Sequence, residues 1–170
     1  MKEALNLQEL KSLLATSKEK SAFHFEKYNL EIPQGGITCI SGFGKTEVVL
    51  DFLSERKDFF VGWIEEKFSF YPYAVSQKNL SLKNFLFIEA EDQGIYTSLQ
   101  AMKSQVFQCI ILYKDEIDLK DLRRIQIFSE KSKCVTFWLT NKRQSLWPVS
   151  LDLEAENSKE LCVHQINKRF

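Results

Sequence analysis

Apolar residues along this chain fall into short continuous runs that alternate with stretches of helical spacing. The β-branched run 37–40 (Ile-Thr-Cys-Ile) enters a glycine turn, and a helix carrying Val49, Phe52 and Leu53 follows. Residues 59–64 form a second apolar run of the kind buried on both faces of a sheet. A short helix over 71–77 precedes a third run at 85–88. Residues 92–103 predict a helix with Ile95, Leu99 and Met102 on one face, and 109–112 a fourth strand. Asp118 caps a predicted helix to about Lys131, whose inner face is Leu119, Leu122, Ile125 and Phe128. Residues 133–139 supply a fifth strand. Strand and helix alternating in this way predict an α/β fold, a mostly parallel sheet sandwiched by helices.

The two ends depart from that alternation. Residues 4–16 carry Leu5, Leu7, Leu10, Leu13 and Leu14 at mostly helical spacing, and 17–20 form a charged connector. An N-terminal helix and connector over 1–20 is therefore expected ahead of a single core domain over 21–170. Residues 21–32 alternate as one or two short strands, and 33–36 make a turn. At the far end, 146–153 and 161–166 are strand-like on either side of the polar stretch 154–159. They predict a C-terminal antiparallel hairpin, about 144–167, added to the sheet.

Composition narrows the function classes. The chain is 44% hydrophobic and 27% charged, ordinary for a soluble domain, and its 14 Phe predict an aromatic-rich core. Lys and Arg total 23 against 23 Asp and Glu. A chain without net charge lacks the global signature of a nucleic-acid binder, so any DNA contact is local or indirect. No apolar run approaches the roughly 20 residues of a membrane helix, so a cytoplasmic protein without membrane contact is expected. Cys39, Cys109, Cys134 and Cys162 form no CxxC pair and read as small buried hydrophobes in a reducing compartment.

The chemistry concentrates at Gly42-Phe43-Gly44-Lys45-Thr46. Strand, glycine turn, Lys-Thr and helix outline a phosphate-binding loop, in which backbone N–H groups and a helix N-terminus face an anion. The full pattern leaves four residues between its opening Gly and Gly-Lys-Thr, a position held here by Cys39. The alternative opening, Gly42, leaves only Phe43 in between. Taken alone, the turn also reads as a glycine cap with Lys45 solvated. Glu65 and Glu66 form a candidate carboxylate pair or a solvated strand end. His24 reads as structural. Arg123, Arg124, Lys131, Lys133, Lys142 and Arg143 offer either a basic edge for DNA or an ordinary outer face. Trp138 and Trp147 belong to the core or to the hairpin, and Lys168-Arg169-Phe170 is a basic-aromatic end.

In collinear order from Gln34 to about Leu139, the chain resembles the RecA-like family. Residues 34–42 (QGGITCISG) match the turn and strand that lead into its phosphate loop. Residues 63–72 (WIEEKFSFYP), Asn79-Leu80 and 84–88 (NFLFI) are similar to its next segments, and 108–113 falls where its second nucleotide motif belongs. The most similar type is the short RecA-like accessory protein of the SOS response. It includes the mutasome partner of an error-prone polymerase (the ImuA type) and the related cell-division inhibitors. The resemblance implies that Gly42, Gly44, Lys45 and Thr46 face phosphate, with Thr46 on magnesium. It places the catalytic Glu at Lys67, or at Glu66 with one gap, and the magnesium-holding carboxylate at Tyr113, with Asp115 or Glu116 substituting only if the strand end slips by about two or three residues. Phosphoryl transfer depends on positioning and charge neutralisation, so altering loop and carboxylate together predicts no efficient ATP hydrolysis. The resemblance thus implies a degenerate accessory protein of DNA repair or the SOS response, with RecA or an error-prone polymerase as partner. Its alternatives are a repair ATPase that still binds ATP and magnesium, and a cell-division inhibitor needing no nucleotide.

Overall fold

A computed structural model describes residues 21–142, 147–157 and 161–169. The expected leucine helix over 1–20, and with it Arg143 and Phe170, lie outside the described residues. The strands are β1 (Ala22–Phe25), β2 (Leu30–Pro33), β3 (Ile37–Ser41), β4 (Val61–Glu65), β5 (Phe85–Glu89), β6 (Cys109–Tyr113), β7 (Val135–Leu139), β8 (Leu151–Asn157) and β9 (Leu161–Lys168). The helices are α1 (Lys45–Ser54), α2 (Tyr73–Gln77), α3 (Gly94–Ser104) and α4 (Leu119–Ser132).

One sheet runs in the order β5-β4-β6-β7-β3-β8-β9, while β1 and β2 form a separate antiparallel pair. Strands β5, β4, β6, β7, β3 and β8 pair in parallel, and only β9 turns back, antiparallel to β8. The fold is α/β with a mostly parallel sheet and a C-terminal antiparallel hairpin, as the alternation predicts. The hairpin is longer at its tip than expected. Glu154, Ala155 and Glu156 are in strand, paired with His164, Val163 and Cys162. Alternating Glu and Ala hid a strand with one covered face.

Apolar side chains on both faces of each central strand explain the two layers. Trp63, Cys109, Ile111, Phe137 and Leu139 join Val49, Phe52 and Leu53 of α1, Val75 of α2, and Phe25 and Ile32 of the β1–β2 pair. Ile64, Ile110, Leu112 and Trp138 pack instead against Leu99 and Met102 of α3 and Leu122 and Ile125 of α4. The many phenylalanines meet in the first layer, where Phe52 makes edge-on contacts with Phe23, Phe25, Phe59 and Phe137. In α4, Asp118 accepts the Asp121 N–H at 2.7 Å and so caps the helix as expected. Leu119, assigned to the inner face by spacing, is 54% exposed because the buried face turns through Leu122, Ile125 and Ser129 instead. No helix among the described residues is long and apolar enough to cross a membrane.

Candidate functional site

The carboxyl ends of parallel strands, where α/β proteins place their ligands, bring the sequence candidates to one rim. β3 ends at Ser41, in register with Glu154 of β8, and the chain then turns at Gly42 with φ of 93°. A Cβ there would lie 2.1 Å from the Ala155 carbonyl oxygen, so only glycine lets the loop press against β8. Gly44 is the N-cap of α1, and no side chain caps that helix. Phe43 between the glycines is 97% exposed.

Lys45 is held by the protein itself. Its Nζ donates to Asn141 Oδ1 at 2.9 Å and to the Gly42 carbonyl at 3.3 Å, and it lies 5.3 Å from the centre of the Tyr113 ring. Asn141 Nδ2 donates to the Tyr113 hydroxyl at 2.8 Å, and the Asn141 N–H to Asp115 Oδ1 at 3.0 Å. Burial lowers the Lys45 ammonium pKa, and the Asp115 charge opposes that shift. Tyr113, where the resemblance places a metal carboxylate, thus forms one wall of the lysine's seat.

The acidic pair divides into two unlike residues. Glu65 is buried and accepts Trp63 Nε1–H at 2.7 Å, the Ser69 N–H at 2.6 Å and the Ser69 hydroxyl at 2.9 Å. Its carboxylate fastens the chain after β4. Glu66 is exposed and ion-paired with Lys114, while Lys67 is exposed beside it. Lys45, Thr46, Glu65, Ser69, Tyr71 and Tyr113 line an open pocket of about 270 Å³, together with the buried Trp63 and Phe70. That volume falls just below the range of roughly 300–1,000 Å³ usual for small-molecule sites. Tyr71 of that lining is exposed, and the exposed Tyr73 lies beside it, with ring centres 6.0 Å apart.

The remaining candidates lie away from this rim or are already paired. His24 Nδ1 meets Glu31 Oε1 at 2.8 Å on the β1–β2 pair. Arg124 pairs with Asp121 and Lys142 with Glu116, while Lys131 lies over Phe128 and Arg123 over the exposed Trp147. Trp138 is in the core. Cys39, Cys109 and Cys134 are buried as expected, but Cys162 on β9 is exposed. Among the described residues no group of three or more His, Cys, Asp or Glu could hold a metal ion. Sequence reasoning missed Asn141 and Tyr71. The available signal was that Asn141 lies just past the carboxyl end of β7, one residue after Thr140.

No known protein family matches this sequence, and no curated protein is significantly similar to it. Its fold is similar to the crystal structure of SulA from Pseudomonas aeruginosa, with a TM-score of 0.52 and 11% identity, covering 62% of this chain and 95% of that one. At that identity the likeness speaks for the fold.

Proposed function

We propose that this chain is a degenerate RecA-like protein that captures a protein partner instead of turning over a nucleotide, and that it acts as a cell-division inhibitor of the SOS type. The observation carrying this reading is the occupation of Lys45, whose ammonium is bonded to Asn141 and the Gly42 carbonyl and covered by Tyr113. A magnesium-bound triphosphate fits this rim poorly. The turn lacks the backbone donors of a full loop, and a phenol stands where the metal needs a hard oxygen anion. The same rim offers Phe43, Tyr71 and Tyr73 to solvent, and exposed aromatics of this kind anchor protein interfaces. The likeness in fold to SulA supports the division-inhibitor branch of the family resemblance over the mutasome branch.

Two measurements test this. A fluorescent ATP analogue titrated against the protein and its Lys45→Ala variant is expected to show no Lys45-dependent binding. Tight, magnesium-dependent binding lost in the variant overturns the reading. Affinity capture from DNA-damaged cells is expected to retain a cytoskeletal division protein, and Phe43→Ala to weaken capture by roughly tenfold or more. Phe43-dependent recovery of RecA or an error-prone polymerase instead moves the protein to the mutasome class.

A further inference from the structure

We propose that the outer face of α4, with the adjoining end of α3 and Trp147, binds single-stranded DNA. This surface shares no residue with the rim and goes beyond the partner capture proposed for it. Only the choice of DNA over RNA rests on the SOS-type reading.

α4 buries Leu122, Ile125 and Ser129 and so turns Lys120, Arg123, Arg124, Ile127 and Lys131 to solvent. These exposed positions recur every three or four residues and form one stripe along the helix. Lys103, at the end of α3, joins the stripe through Phe128. Its Nζ lies 5.2 Å from the centre of that ring, and Lys131 Nζ lies 5.7 Å from the same ring. Further along, the Arg123 guanidinium lies 5.5 Å from the ring centre of Trp147, which is 54% exposed. Of these cations only Arg124 has an ion-pair partner among the described residues, Asp121 at 3.0 Å. The acids of α4, Asp121 and Glu130, are engaged by Arg124 and Gln126. Lys and Arg equal Asp and Glu over the whole chain, so the excess on this face is local. Helix stability does not account for it. Lys131 suits the negative C-terminus of α4, but Lys120 sits in the first turn, where the dipole favours acids.

Charge complementarity and the interleaved rings together select the occupant. Cations without carboxylate partners neutralise phosphates, and exposed aromatic faces take unstacked bases. A duplex keeps its bases stacked within itself and leaves such rings unused. The Arg123–Trp147 pair offers a stacking plane and a charge at one point, which suits a base and its own phosphate. An anionic membrane fits this face less well. A helix lying in a membrane interface sinks its apolar side into the lipid boundary, and α4 already has that side packed on the sheet.

Fluorescence anisotropy of a labelled oligothymidine of about 20 nucleotides, titrated with the full chain, tests this. A dissociation constant on the order of 10⁻⁵ M is expected at roughly 50 mM salt. With Lys103, Lys120, Arg123 and Lys131 each on one phosphate, log affinity falls with log salt at a slope of about −3. Arg123→Glu combined with Lys131→Glu is expected to weaken binding by roughly tenfold or more and to flatten that slope, with an unchanged far-UV spectrum. Lys83→Glu, the same charge change at an exposed lysine ahead of β5, is expected to alter affinity by less than about twofold. Trp63 and Trp138 are buried, so a stacked base quenches the emission of Trp147. Trp147→Ala is expected to abolish the quenching and to weaken binding roughly fivefold at every salt concentration. Phe43→Ala should leave DNA binding intact, so failure here and failure of partner capture at the rim are read separately. Absence of binding overturns the proposal, as does a loss equal to that of the double variant from Lys83→Glu. Duplex DNA or oligouridine bound as tightly as oligothymidine overturns it too, and so do phosphatidylglycerol vesicles bound in place of DNA.

Discussion

Asp51 joins three separate segments through one carboxylate. It is buried on α1 and accepts Lys27 Nζ at 2.5 Å, Lys78 Nζ at 2.7 Å and the Tyr28 hydroxyl at 2.9 Å. Burial alone would raise its pKa, but the three hydrogen bonds and the Lys78 charge outweigh it and hold the carboxyl below its ordinary value. A lowered folded pKa means that this stabilisation is present above the unfolded value, about pH 4, and disappears as pH falls through the folded one. Asp51→Ala leaves two lysines facing each other. It is expected to cost on the order of 3 kcal/mol in urea unfolding at neutral pH. The gap to wild type should narrow in acid, and a gap independent of pH would count against the ionic account. None of the three partners was legible from local spacing, since Lys27 and Tyr28 lie 24 and 23 residues away from Asp51 and Lys78 lies 27 away.

At the scale of elements, the turn between β3 and α1 holds its shape for a packing reason independent of any ligand. Gly42 adopts φ of 93° because its backbone lies against the Ala155 carbonyl of β8. Gly42→Ala combines a left-handed strain of about 1–3 kcal/mol with that clash, so a loss of at least about 2 kcal/mol is expected in chemical denaturation. A phosphate loop that merely required flexibility would lose nucleotide affinity first and stability little. The sequence displayed this turn plainly, since strand, glycines and helix are adjacent in the chain. It did not display what seats Lys45. Asn141 and Tyr113 come from the ends of β7 and β6, far along the chain, and meet the lysine only because β3, β7 and β6 are neighbours in the sheet. Phe43 likewise read only as a bulky residue near the turn, and its near-complete exposure follows from the path of the loop.

For the whole molecule, covering both faces of the sheet decides which groups reach solvent. Cys39, Cys109 and Cys134 are sealed between the layers, and burial raises the Cys39 and Cys109 thiols far above their ordinary value. Of the four cysteines, Cys162 alone is expected to react with a thiol reagent in the native protein, and all four in denaturant. Labelling followed by mass spectrometry checks this, and a second fast-reacting native thiol would show that one layer opens. By itself the sequence determined the succession of strands and helices, the mostly parallel sheet and the terminal hairpin. Those follow from hydrophobic periodicity, which is local, and from strands apolar on both faces, which require cover on both sides. Tertiary structure alone decided that the run at Phe85 lies on an open edge while the equally apolar run at Cys109 is central. It also decided that the lysine of the turn is already engaged. Strand order and the meeting of strand ends depend on contacts between distant segments, and periodicity along the chain carries no record of them.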